Sequence, residues 1–264
     1  MALKYQGIQP IAKSTFEVLP VVGWSLPGHG LAYGDCGHTL VFGCTNIEEH
    51  TQACLDKDVV GKVFVDLRKR TCLRAVCPIC YEKWAGKEAH KIEYRLGQWK
   101  GSGQVIHLMI SVPRELWHIP LENLRPRVYQ VARAIGFFGG SCIPHPFRQQ
   151  CLICGSPKDS FTERCLNCGC SQFLWVFSPH FHLLGYGWIQ GDKVKEQYQE
   201  GGWISKNLGI RGSVGGTAQY QLSHAGVKEG KHTVTWFGRL AYNKLRVIPE
   251  IEEKKVCPLC GAEL

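Results

Sequence analysis

Residues 173–189 read "FLWVFSPHFHLLGYGWI". The run is apolar, rich in aromatic residues and free of formal charge, which reads as a buried strand. Successive side chains of a strand point to opposite faces. His180, His182 and Leu184 therefore share one face, while Phe181 and Leu183 pack into a core on the other. Two imidazoles then lie side by side on a sheet surface. Ordinary hydrogen bonds could satisfy them there, or they could be two ligands of one metal ion. The spacing alone leaves both readings open.

Around this strand the pattern alternates. "QVIHLMISVP", residues 104–113, reads as a second buried strand ended by Pro113. In "NLRPRVYQVARAIG", Val128, Val131, Ala132 and Ile135 form a helical stripe, with Pro126 suited to the first turn and Gly136 to the C-cap. Cys80 leads into another helix, whose apolar positions are Tyr81, Ala85, Ala89, Ile92 and Leu96, with Gly97 as its stop. "DKVKEQYQEGGW" is helical at its start, "GGTAQYQLSHAG" reads as a short helix ended by Gly226, and "HTVTWFGRLAYNKL" begins as a strand. Residues 1–35 show no period and read as loops and short strands.

The chain has 264 residues, enough for one large domain or two. No apolar run approaches the ~20 residues of a membrane span. The first residues, "MALKYQGIQP", lack a secretion signal, so the cytoplasm is the expected location. The net charge of +9 suits a polyanionic partner, nucleic acid first, although solubility explains it equally well. No G-x-x-x-x-G-K-[ST] motif is present, so no fused helicase is expected.

Of the fourteen cysteines, eight form C-x-x-C pairs: Cys77/Cys80, Cys151/Cys154, Cys165/Cys168 and Cys257/Cys260. A two-residue gap lets both thiolates reach one tetrahedral ion, and a cytoplasmic chain seldom forms disulfides. "CLICGSPKDSFTERCLNCGC" spaces Cys151, Cys154, Cys165 and Cys168 as a zinc ribbon, with a glycine after each second cysteine to permit the tight turn. Four thiolates close the coordination sphere, so this zinc is expected to be structural. For Cys77 and Cys80 the chosen partners are Cys44 and His50, with Cys36 and Cys72 as alternates. Cys257 and Cys260 could complete that site instead, or could join Cys36 and His38 in a third. Two or three structural Zn2+ ions are expected, and Cys54, Cys142 and Cys170 read as ordinary thiols. Arg68, Lys69, Arg70 and Arg74 beside the knuckle could contact DNA phosphates or simply form a solvated face.

A second motif bears on the two histidines. In "TAQYQLSHAG", Tyr220 and His224 lie four apart and share one face of a helix. A histidine-triad site would need a third histidine at 184, which is Leu, and a metallo-β-lactamase-type site would need Asp and His just beyond. A His-x-His strand followed by a Tyr-x-x-x-His helix, in a basic chain rich in C-x-x-C pairs, resembles the HUH endonuclease superfamily. Within it the chain is most similar to rolling-circle replication initiators (Rep proteins) of archaeal plasmids and viruses. "PHFHLL" resembles the His-hydrophobic-His motif, "YQLSHAG" the tyrosine motif and "VIHLMISVP" the first motif. "TCLRAVCPICYEKW", residues 71–84, is similar to the cysteine-rich stretch ahead of some Rep nuclease domains. The resemblance covers roughly residues 70–245, and His224 stands where many Rep proteins have lysine.

The resemblance implies an α+β fold: an antiparallel-sheet HUH nuclease core, ferredoxin- or RRM-like, with flanking helices and the histidine strand at its centre. It implies a cysteine-rich zinc-binding region over 1–98, a nuclease domain over 99–250 with the ribbon inserted at 148–171, and a C-x-x-C tail over 251–264. It implies Mg2+ or Mn2+ on His180, His182 and His224, with Tyr220 as nucleophile. Lys228 and Lys231 would assist on the DNA side, and Tyr242 is the rival nucleophile. The implied activity is nicking and joining of single-stranded DNA through a 5′-phosphotyrosine, on a single-stranded or hairpin origin, with a host helicase and polymerase as partners. A transposase or relaxase of the same chemistry, a non-catalytic zinc-ribbon DNA-binding protein and a hydrolase of small phosphoesters are the alternatives.

Overall fold

The computed structural model describes residues 23–46, 48, 50, 64–158, 162–250 and 254–264. Cys54 and the expected loops of residues 1–22 lie outside these. In chain order the strands are β1 (Thr39–Gly43), β2 (Val65–Lys69), β3 (Ile106–Ser111), β4 (Phe137–Cys151), β5 (Phe173–Gly187), β6 (Ile204–Ile210) and β7 (Thr235–Gly238). The helices are α1 (Tyr81–Gly97), α2 (Leu121–Ala134), α3 (Gly191–Gly201) and α4 (Val214–Leu222). The fold is α+β. Its main sheet has five strands in the order β6-β3-β5-β4-β7, antiparallel throughout, and the histidine strand β5 is the middle one. A separate hairpin pairs β1 with β2.

Both faces of the sheet are covered, which is why the central strands read as unbroken apolar runs. On one face Leu108, Ile110, Cys142, Phe181 and Leu183 meet Leu121, Leu124, Val128, Val131, Ala132 and Ile135 of α2 and its C-cap. On the other, Ile143 and Leu184 meet Ala85, Ala89, Ile92 and Leu96 of α1, and Ala218 and Leu222 of α4. Each fully buried Leu or Ile contributes about 1.5–3 kcal/mol. The α1 stripe keeps i, i+3, i+4 spacing, so the helix that follows the Cys77/Cys80 knuckle lays its apolar face directly on the sheet.

α2 starts earlier than the sequence suggests. Pro120 is its N-cap and Leu121 and Leu124 are fully buried, so Pro126 falls in the second turn rather than the first. Burying two more leucines favours the extra turn. Two strands of the main sheet, β4 and β6, are not apparent in the sequence, and neither are β1 and β2 of the hairpin. β4, "FFGGSCIPHPFRQQC", carries two glycines and two prolines, residues that normally mark turns. The structure accommodates them locally. β7 pairs only with Gly139–Cys142, so Pro144 and Pro146 lie on a stretch whose outer flank has no strand partner among the described residues and needs no donated N–H. Among the described residues no helix is long and apolar enough to cross a membrane.

Gly136, read as the stop of α2, has φ +97°. A Cβ there would also lie 2.1 Å from the Trp188 carbonyl oxygen. Gly136→Ala should therefore lower stability by about 1–3 kcal/mol, seen as a reduced urea midpoint with an unchanged m-value. An unchanged midpoint would show that the turn relaxes freely.

Candidate functional site

The register of β3, β4 and β5 places a row of polar side chains on the face that α1 and α4 cover. Ser111 and His145 both pair with His180, and Met109 and Ile143 both pair with His182. Directly paired residues share a face. His145, His180 and His182 thus converge, each buried, with ligand nitrogens within 4.8 Å of one another. Three imidazoles so arranged can hold one divalent ion and leave coordination positions open.

His145 was not visible as a ligand in the sequence because the "IPHPF" segment does not read as strand. It is fully buried, and among the described residues neither of its ring nitrogens has a hydrogen-bond partner. An orphaned buried polar atom costs about 1–3 kcal/mol, and an ion would satisfy one of the two. The donor set, all imidazole, fits a transition ion.

His224, expected as the third ligand, is outside this group. It follows the C-cap Ser223 of α4, and the next turn is pinned to β4 by Gly226 N–H donating to Pro144 O at 2.7 Å. This holds its ring edge-on to His145, 4.5 Å between centroids. The shared-face argument for Tyr220 and His224 agrees with the geometry: their rings are 4.7 Å apart. Tyr220 is 52% exposed, whereas His145, His180 and His182 are buried. Ring contacts run from Tyr220 through His224 to His145, which lies against both His180 and His182.

A further histidine supports the group from behind. Nδ1 of His182 lies 2.6 Å from Nε2 of His107, and Nε2 of Gln221, next to Tyr220, is 2.8 Å from the same atom. A ligating imidazole commonly gives its other N–H to a second group, which fixes tautomer and orientation. His107 fills that position and ties the tyrosine helix to the His182 ring. His180 makes the equivalent contact to the Ser178 carbonyl, 2.9 Å from its Nδ1. Both β5 histidines therefore have Nε2 left for an ion.

Burial depresses the pKa of every imidazole here. His145, His180 and His182 fall well below their ordinary value, and His107 and His224 fall to about 4. All are neutral at pH 7, the form a metal ligand requires.

Three cysteine groups could bind structural zinc. Cys151, Cys154, Cys165 and Cys168 assemble as expected, with Sγ–Sγ distances of 3.4 Å for Cys151/Cys168 and 3.5 Å for Cys154/Cys165. They sit at the tip of the β4–β5 hairpin. The other two groups differ from the chosen pairing. Cys77 and Cys80 meet Cys36 and Cys72, the alternates, at the N-terminus of α1. Cys44 and His50 meet Cys257 and Cys260, with Cys44 Sγ 3.5 Å from Cys260 Sγ and His50 Nε2 3.1 Å from Cys257 Sγ. His38 joins neither and lies exposed, 4.0 Å from Asp35. The antiparallel β1–β2 pairing explains the regrouping. Pairing Thr39 with Lys69 brings Cys36 beside Cys72, and leaves Cys44 at the far end of the hairpin. Cys142 is buried in the core, where burial pushes its thiol up to about 12. Cys170 lies outside the ribbon group.

The basic residues named from sequence are mostly engaged within the chain. Arg68 pairs with Asp66 and Arg70 with Asp35. The Arg74 guanidinium lies 4.7 Å from the Tyr33 ring centroid. Lys228 meets Glu122 at 3.2 Å, and Lys69 and Lys231 are exposed. Tyr242 is 69% exposed in a turn, its ring against Arg95 rather than the histidines. Comparison of the chain with protein families, curated proteins and solved structures found no match in any of the three.

Zinc analysis of the purified chain should give three equivalents, one for each cysteine group. Cys257→Ser with Cys260→Ser should remove one equivalent, Cys72→Ser a different one, and His38→Ala none. Loss of zinc with His38→Ala would restore the other pairing. For His107 and His224, a folded pKa of about 4 lies below the unfolded value of 6.5. The unfolded chain then binds more protons between these values, so stability present at pH 7 is lost as pH falls from 6.5 towards 4. Their NMR ring signals should stay at the neutral position down to about pH 5.5, and titration near 6.5 would contradict the burial argument.

Proposed function

We propose that this chain nicks and rejoins single-stranded DNA through a covalent bond to Tyr220, as an HUH-type enzyme that initiates rolling-circle replication. One observation carries the reading: a half-exposed tyrosine stands next to His224, which abuts a buried trio of neutral imidazoles on the central strand of an antiparallel sheet. The five-stranded order with β5 in the middle, and a tyrosine helix packed across it, support the HUH arrangement that the motifs resemble.

His145, His180 and His182 would hold the divalent ion, and His224 would lie between it and the nucleophile. When bound, the ion supplies charge stabilisation at the phosphate oxygens. Among the described residues no carboxylate joins the group, and imidazole donors favour Mn2+ over Mg2+. The chain's own residues do the rest. α4 carries the exposed phenol beside His224, and Gln221 anchors that helix to His107. The Tyr220 oxygen attacks phosphorus in line and loses its proton, the P–O3′ bond breaks, and the departing oxygen gains a proton to become a 3′-hydroxyl. The reverse transfer rejoins the strand. The cysteine ribbon, carried on the extended end of the same hairpin, would contact DNA on its way to the histidine group.

Covalent trapping tests this. Labelled single-stranded oligonucleotides tiled across the chain's own replicon, incubated with Mn2+ and run on a denaturing gel, should give a protein–DNA band. Tyr220→Phe should abolish it and Tyr242→Phe should leave it. His145→Ala should weaken it at least tenfold, and Mg2+ should support less of it than Mn2+. DNA binding without any adduct would favour the zinc-ribbon binding protein.

A further inference from the structure

Arg148 stands on β4 three residues beyond His145, and its guanidinium crosses the histidine face. Nε donates to Nδ1 of His180 at 3.2 Å, and Nη2 donates to Ser111 Oγ at 2.7 Å and reaches Met109 Sδ at 3.7 Å. None of these acceptors carries a charge. Among the described residues no carboxylate pairs with Arg148. A partly buried cation without a counter-ion is an unbalanced arrangement in a protein interior. Burial already draws its pKa below the ordinary value.

The contacts of His180 sharpen the point. Its Nδ1 is 2.9 Å from the Ser178 carbonyl and 3.2 Å from Arg148 Nε. A carbonyl oxygen only accepts, so the first contact needs a proton on Nδ1. Arg148 Nε–H only donates, so the second needs a lone pair on the same atom. One nitrogen of a neutral ring cannot provide both. An ion on Nε2 requires the proton on Nδ1, which keeps the Ser178 bond and ends the Arg148 bond. An ion on His180 Nε2 would thus leave the Arg148 Nε–H without its acceptor.

We propose that Arg148 is a catalytic residue of this site, the arm that binds the oxyanion of the scissile phosphodiester once His180 holds its ion. The inference rests on the nicking reading and adds a residue to it. A planar guanidinium offers paired donors matched to two phosphate oxygens, and it would stabilise the charge that grows on them.

The test uses the full chain with a random-sequence 20-nucleotide single-stranded DNA, and follows affinity against salt with and without Mn2+. Arg148→Gln should make the log–log slope shallower by about 0.7, one phosphate contact on a single strand, and only when Mn2+ is present. Arg148→Lys should keep the slope but, in the trapping assay, cut the rate of adduct formation at least tenfold. Arg148→Gln should cut that rate by about 100-fold. Mn2+ binding, read by electron paramagnetic resonance, and zinc content should stay within twofold in both variants. An unchanged slope with a wild-type trapping rate would overturn the role of Arg148 while leaving the nicking reading intact. A Mn2+-dependent slope change with no adduct from the wild-type chain would keep the phosphate contact and sink the nicking reading. If Arg148→Gln loses zinc, the decision falls to Arg148→Lys, where an undiminished trapping rate would overturn the proposal.

Discussion

The register of the β4–β5 hairpin is the constraint on which the site depends. It sets His145 opposite His180 and Ile143 opposite His182. A slip by one residue would turn His145 to the α2 face and disperse the three imidazoles. Two features hold the register. Gly140 and Gly185 pass so closely that a Cβ on either would meet backbone of the other strand at 2.1 Å. At the far end the ribbon cysteines close the hairpin through Cys151, the last residue of β4. A zinc held at that tip would therefore bear on the geometry of the histidine group at the other end of the hairpin.

The tyrosine helix is positioned by polar contacts as much as by packing. Ser213 caps α4 by accepting from Gly216 N–H at 3.1 Å, and Glu93 of α1 accepts from Gly215 N–H at 3.0 Å. An anion and a hydroxyl at a helix N-terminus satisfy orphan donors and complement the helix dipole. At the other end, Gln221 reaches His107, and Gly226 binds Pro144 beside His145. The phenol of Tyr220 thus hangs from a helix fixed at both ends to the elements that carry the imidazoles. Its own exposure follows from facing away from the Ala218–Leu222 stripe.

The group formed by Cys44, His50, Cys257 and Cys260 works at longer range. It joins residues up to 216 positions apart, so one ion would fasten the β1–β2 hairpin region to the tail. Closing so long a loop restricts the unfolded chain, and the tail along α1 is further held by His90 to Glu250 and Tyr94 to the Ile248 carbonyl.

Local chemistry was legible in the chain itself. The ribbon spacing, the alternation around His180 and His182, the stripes of the two long helices, and the four-residue step from Tyr220 to His224 each depend on neighbours within one element. Periodicity and tetrahedral geometry act over that range. What tertiary structure alone decided is which distant elements meet. β4 was hidden because its prolines and glycines read as turns, and they are tolerated only where β7 stops and where β5 comes close. His145 was hidden with it, and so was the place of His224 outside the histidine group. The partners of Cys77/Cys80 and Cys257/Cys260 were equally undetermined, because every C-x-x-C pair offers the same two thiolates. The antiparallel pairing of β1 with β2 chose among them by placing Cys36 beside Cys72 and carrying Cys44 away.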